Sequence, residues 1–240
     1  MSLLSPNTCL ELLQRTWLEC QIAGPPPTTI AGLTGEGRDL LHYLNAGWME
    51  LQAEHVDWDF MQVTPGFSLP TIAGQQIYAP TAIPTAADAA IMVGNVGSWK
   101  TDTFRVYLTS SGFPSEVFME FYHYDDWKDM YQMGTLRTTQ TQPIAFTVLP
   151  NLSLGLQCPL TGYTVIGDYY QAPIAFAVDG DVPALPIQYR IMLVYRAMMV
   201  YGLEESAPEV FNQGRSLYTP LHTRLTNSRL PAIRTGGALA

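Results

Sequence analysis

A chain of 240 residues, 47% of them hydrophobic, is long enough to bury roughly three quarters of the surface it would expose unfolded, in one large domain or two small ones. Only 14% of the residues are charged, against about 25% in an ordinary globular domain. That leaves a weakly charged monomeric β protein, or a chain whose outside is partly covered by other subunits, since obligate interfaces are poor in charge and rich in aromatics, Met and Arg. The net charge of −9 excludes a general nucleic-acid binder, whose affinity comes mainly from Lys and Arg on phosphates. No run of about 18 apolar residues marks a membrane span, and residues 1–4 lack the regions of a secretory leader, so a soluble protein made in a cytoplasm is expected.

Residues 8–22 read as a helix. Thr8 and Glu11 stand at capping-box spacing, and Leu10, Leu13, Trp17 and Cys20 recur at helical intervals. Gly24 and Pro25-Pro26-Pro27 stop it. A second helix, from about 34–37 to His55, carries Leu41, Leu44, Trp48 and Leu51, and the two helices are expected to pack antiparallel. From Trp58 to Ala184 short apolar or alternating runs are punctuated by Gly, Pro and Asn, the pattern of strands and tight turns. The best strands are 67–69, 76–78, 90–96, 104–109, 144–149, 152–157 and 163–171, with Pro150-Asn151 as a hairpin turn. Residues 124–133 interrupt them as a short helix, with Asp125 and Asp126 favourably placed at its start and Gly134 after it. The helical period returns from Ile187 to about Glu205, on Ile187, Ile191, Val194, Tyr195 and Met198. A fourth helix opens at Ser206-Ala207-Pro208-Glu209 and is expected to kink or end near Pro220. Each terminal helix pair has one apolar face that it cannot bury alone, which predicts that residues 8–56 and 186–220 pack together.

The residues offer little chemistry. His42, His55, His123 and His222 are scattered without metal-ligand spacing. Cys9, Cys20 and Cys158 form no Cys-x-x-Cys pair and are expected to be buried, reduced thiols. Glu116, Glu120, Asp125, Asp126 and Asp129 are close enough in sequence to supply a glycosidase acid and base, but solvated or capping roles account for them. Gly32-Leu33-Thr34-Gly35-Glu36-Gly37 lacks the Lys-Ser/Thr ending of a phosphate-binding loop. The aromatic run 118–124 lacks the interleaved Lys or Arg of a base-stacking platform. No catalytic, cofactor or metal residue is therefore assigned, and the chain is not expected to be an enzyme.

The order of the pieces carries a resemblance. Asn45-Ala46-Gly47-Trp48-Met49-Glu50-Leu51-Gln52, then Trp58-Asp59-Phe60 and a strand closing on Gln76-Ile77-Tyr78, resembles the opening of head-to-tail adaptor (connector, head-completion) proteins of tailed bacteriophages. Residues 143–149, 152–159 and 163–173 with Asp168-Tyr169-Tyr170, then Asp181-Val182-Pro183-Ala184-Leu185-Pro186 and the helix 189–201, are similar to the second half of that family. The similarity spans roughly residues 8–225 and departs from the pattern at Leu160-Thr161-Gly162, where an acidic turn is expected, and at Pro220. It implies an α+β fold: a four-helix bundle of the N- and C-terminal helix pairs (1–57 and 185–222), with an antiparallel β domain (58–184) inserted between helices two and three, and an extended C-terminal tail (223–240). It further implies a virion structural protein at the neck between capsid and tail, made in the host bacterial cytoplasm. Its copies would form a homo-oligomeric, dodecameric ring under the portal protein, contacting other neck or tail proteins, with a channel through which DNA passes without sequence-specific binding and with no membrane contact. The other readings are a tail-tube or tail-completion subunit and, from a different class, a virion-associated carbohydrate-active enzyme or carbohydrate-binding module.

Charge distribution singles out one segment. The first sixty residues hold eight acids against Arg15 and Arg38, whereas beyond Glu209 stand Arg215, Arg224, Arg229 and Arg234 and no acid. In the tail Arg224, Arg229 and Arg234 recur at fives with Leu225, Leu230 and Ile233 between them. This is either a solvated end or a partner-binding segment that orders on the portal.

Overall fold

A computed structural model describes residues 7–230. In chain order it contains α1 (Cys9–Glu19), α2 (Glu36–Glu54), β1 (Gln62–Pro70), β2 (Ile77–Tyr78), β3 (Val96–Leu108), β4 (Val117–Phe118), β5 (Glu120–Phe121), α3 (Tyr124–Trp127), β6 (Ala145–Val148), β7 (Leu154–Leu156), β8 (Tyr163–Gln171), α4 (Ile191–Glu204) and α5 (Pro208–Arg229). Two compact units result: the chain up to Met61 together with the chain from Pro173, and residues Gln62–Ala172. Among the described residues no helix is long and apolar enough to cross a membrane.

The helical unit starts with the capping box. The Thr8 hydroxyl accepts from Glu11 N at 3.3 Å and the Glu11 carboxylate accepts from Thr8 N at 3.3 Å, which satisfies two of the N–H groups left free at a helix start. Helix α1 stops at Glu19, earlier than residue 22, because Gln21 already has φ +56°. It buries Cys9, Leu12, Leu13 and Thr16, a face rotated by about one position from the expected stripe. Helix α2 buries Leu40, Leu44, Trp48 and Leu51. Helix α4 packs with α1, α2 and α5, and so buries Met192, Leu193, Val194, Ala197 and Met198 around more than one face, as a helix in the middle of a layer must. Its joint with α5 is close: a Cβ on Gly214 would lie 2.8 Å from the Tyr195 carbonyl oxygen.

In the β unit, β1-β8-β3-β4 form one sheet and β2-β7-β6-β5 the other. Phe67, Leu69, Trp99, Phe104, Val106, Val165 and Tyr169 from the first meet Tyr78, Phe146, Leu154 and Leu156 from the second in one buried core. Phe104 stacks on Phe146 with centroids 4.3 Å apart and planes at 1°. Gly167 lies against the Phe104 and Phe67 rings; a Cβ there would come within 2.9 Å of Phe104 and 3.0 Å of Phe67. The hairpin turn forms, with Leu152 N donating to Leu149 O and Leu149 N to Ser153 O, both at 2.9 Å. The short helix α3 continues as a π-helical turn to Gln132.

The expected architecture needs correction. The chain is α+β, with five α-helices and two four-stranded sheets among the described residues, and its helix order does not match a four-helix bundle with a β domain inserted between helices two and three, because α3 stands among the strands. The β region is not wholly antiparallel, since β5 and β6 pair in parallel. Helix α5 passes through Pro220 and continues to Arg229, so the tail expected to be extended from residue 223 is helical over its first seven positions; residues 231–240 lie outside the described part. A proline removes one N–H and one helical bond; here Thr219 and Thr223 hydroxyls donate to Arg215 O and Thr219 O at 2.9 and 3.0 Å around it. Residues 90–95 hold a turn, one bend and an isolated bridge at Met92 rather than a strand, and only Val96 enters β3.

Candidate functional site

The residues weighed for catalysis are drawn into local structure. Arg105 donates to the Glu116 carboxylate at 3.0 Å, and Glu120 accepts from the Tyr122 hydroxyl at 2.9 Å, a bond that raises the Tyr122 pKa. Asp125 and Asp126 open α3, where their charge meets the positive end of the helix. Of these residues only Glu116 lines an open cleft of about 650 Å³ in the β unit, together with Tyr107, Phe113, Arg105, Asp102 and Asp168. Its Tyr107 and Phe113 rings are tilted by 48° at 5.2 Å, so they do not offer the coplanar platform on which a sugar face stacks. Cys9, Cys20 and Cys158 are buried free thiols. Burial pushes Cys9 and Cys20 up to about 12, which keeps them protonated and unreactive at neutral pH. Among the described residues no group of three His, Cys, Asp or Glu side chains is gathered to hold a metal ion.

The Asn45–Gln52 motif has a structural explanation. Asn45 and Gln52 stand two helical turns apart on one face of α2 and hold residues 174–176 in extended form. Phe176 N donates to Asn45 Oδ1 at 2.8 Å and Asn45 Nδ2 donates to Phe176 O at 3.3 Å. Ile174 N donates to Gln52 Oε1, and Gln52 Nε2 to Ile174 O, both at 3.1 Å. Between the amides, Trp48 stacks on Phe176 at 6.0 Å, and Phe60 stacks on Trp58 at 5.1 Å. Trp58 Nε1 donates to Leu51 O at 2.8 Å. Gly47 lets α4 approach, since a Cβ there would lie 2.7 Å from Arg196 Cγ. The second quoted motif anchors the start of α1: Asp181 O accepts from Cys9 N at 2.7 Å, and the Asp181 carboxylate accepts from Ala177 N and Val178 N at 2.6 and 2.8 Å. Those two bonds hold its pKa below the ordinary carboxylate value.

A cluster that sequence reasoning missed joins α2, α4 and α5. Arg196 pairs with Glu50 and stands 5.8 Å over the Tyr218 ring, while His222 Nε2 lies 2.9 Å from Glu54. Burial pushes the Tyr218 phenol up to about 12, the Arg196 charge opposing and Glu54 and Glu50 reinforcing it. Its members come from three helices, and no spacing in the sequence signals such a meeting.

Helix α5 carries the first of the singled-out C-terminal residues. Leu225 is fully buried and belongs to the packing of the helical unit. Arg224 is exposed and Leu230, at the helix C-cap, is half-buried. Arg229 donates to Asp59 at 3.1 Å, and its Nε is buried without a partner. Ile233 and Arg234 lie outside the described residues. Although α5 is 22 residues long, its buried residues are only Gly214 and Leu225.

No curated protein matches the chain. Residues 7–231 match the model of the SU10 adaptor protein family, a span that takes in both units and both motifs above. The chain therefore belongs to the SU10 adaptor protein family of phage head-to-tail adaptors, structural proteins of the virion that contact other phage head and tail proteins.

Proposed function

We propose that this adaptor forms a homo-oligomeric ring, dodecameric by the family resemblance, beneath the portal protein, joins capsid to tail at the neck, and surrounds a channel for DNA. The observation that carries this reading is the exposed side of α5, a helix of 22 residues that packs on α4 but has only Gly214 and Leu225 fully buried. Helices in proteins owe most of their stability to the packing of one face, and the other face of a helix this long is available for docking on a partner. Its surface is acid-free beyond Glu209, with Arg224 exposed and Arg234 further along. In this reading Arg224, Leu230, Ile233 and Arg234 meet acidic and apolar portal surface, with Arg forming charge-assisted bonds there, while Leu225 and Arg229 hold the helix to its own unit. Ring symmetry multiplies a weak single contact. The net charge of −9 suits a channel that lets DNA slide, because phosphates gain no hold on it.

The test is capture of purified portal rings by full-length protein, by a chain lacking residues 231–240, and by Arg224→Glu. Both changes are expected to weaken capture at least tenfold while the circular dichroism spectrum is preserved, and added salt is expected to weaken capture by the intact chain. Undiminished capture by both variants at every ionic strength overturns the portal contact, and particle images without a ring at the neck overturn the ring.

A further inference from the structure

The topology of the β unit leaves, on opposite sides, two different edges with exposed apolar side chains. In one sheet the edge strands are β1 and β4, in the other β2 and β5. Only Met119 separates β4 from β5, and its side chain is in the core, so these edges share one side and β1 and β2 share the other. On the first side Phe113, Val117, Phe118 and Phe121 are 67%, 46%, 63% and 40% exposed. The second side is built from residues 62–87, which include no charged residue, and there Ile72 and Ile77 are 55% and 42% exposed. Soluble monomers guard sheet edges with charges, proline or bulges. Pro65 and Pro70 guard β1, and β2 has only its shortness, two residues, to guard its edge.

We propose that the β4–β5 side of one copy packs on the β2 side of the next, and that this head-to-tail contact closes the ring. The inference rests on the ring reading above. A foreign partner needs one patch, and a two-fold dimer uses one patch twice; a heterologous contact repeated around a ring needs two different patches on one subunit. The Arg105 charge at the rim of the first side is already paired within it. Arg105 pairs with Glu116 at 3.0 Å and lies 4.2 Å over the Phe118 ring, and Glu120 accepts from Tyr122. Covering the Arg105–Glu116 pair with a charge-free surface thus strands no unpaired ion, while Glu120, which has no salt-bridge partner among the described residues, must keep its access to water. With β1 guarded by proline, the contact is burial of side chains about Ile72 and Ile77 rather than extension of the first sheet.

The test uses phage particles assembled with full-length adaptor carrying both Ile77→Cys and Phe118→Cys, treated with a flexible bis-maleimide. The three native cysteines are buried and do not compete. The expected result is a ladder of covalent multimers extending to ring size, with no ladder from either single variant. Ile72→Cys with Val117→Cys samples the same contact should the first pair disturb assembly. A dimer from Phe118→Cys alone overturns the proposal in favour of a two-fold contact. A ring seen in particle images without a ladder from either pair overturns this contact and spares the ring, whereas a neck without a ring overturns both.

Discussion

The helical unit is marked by long-range polar clasps and the β unit by a core of interlocking aromatic rings. Asn45 and Gln52 clasp the backbone of Phe176 and Ile174 across more than 120 residues of chain, and Arg196 meets Glu50 across 146. In the β unit Phe67, Trp99, Phe104 and Phe146 interlock ring on ring, and Arg105–Glu116 is the salt bridge found among its described residues. A clasp of directional bonds fixes where a segment lies but buries little area. A core of rings buries much area and depends on volume, because protein interiors are packed like crystals. The two units are therefore expected to fail in different ways.

The largest expected effect is at the ring core. Phe104→Ala removes a fully buried ring and is expected to cost about 3–5 kcal/mol, measured as a lowered denaturant midpoint for aromatic near-ultraviolet dichroism. Loss below about 1 kcal/mol would show that the core refills and that volume is not its weak point. Next comes the clasp. Gln52→Ala leaves the Ile174 N–H and C=O without side-chain partners, an expected cost of about 1–3 kcal/mol. Hydrogen exchange at Ile174 and Phe176 should accelerate more than the global change in stability explains; uniform acceleration would mean that the amide adds no local order.

The acid limb of the stability curve sharpens the contrast further. Backbone bonds from Ala177 and Val178 hold Asp181 below its ordinary pKa of 3.8. A depressed carboxyl contributes stability that is present above the unfolded value and lost as pH falls through the folded one. Asp181→Asn is thus expected to lower stability at neutral pH and to flatten the loss below about pH 4, the ordinary carboxylate range; parallel pH curves for the two proteins would contradict the assignment. The smallest effect belongs to Arg15, paired with Glu19 one turn along α1. Arg15→Ala is expected to cost about 0.3–0.5 kcal/mol, as exposed helix pairs do, and a loss above about 1 kcal/mol would reveal a wider network there.

Features set by a few neighbouring residues were legible in the sequence. Thr8 and Glu11 cap α1, Pro150-Asn151 turns a hairpin, and Asp125 and Asp126 open a short helix, because each of these is a bond or backbone preference closed within about one turn of chain. Contacts with distant chain decided the rest. Which face α1 buries, Cys9 and Leu12 rather than Leu10 and Trp17, depends on where α2 and α4 lie, since an amphipathic stripe is ambiguous by about one position. Passage of α5 through Pro220 was not legible, because the helix is also held to its unit by Gly214 against α4 and by Leu225, and such tertiary burial overrides local propensity. The clasps of Asn45 and Gln52, the cluster about Arg196 and the two apolar edges join residues far apart in the chain; their energies come from burial and bond geometry that exist only after folding, and no periodicity records them.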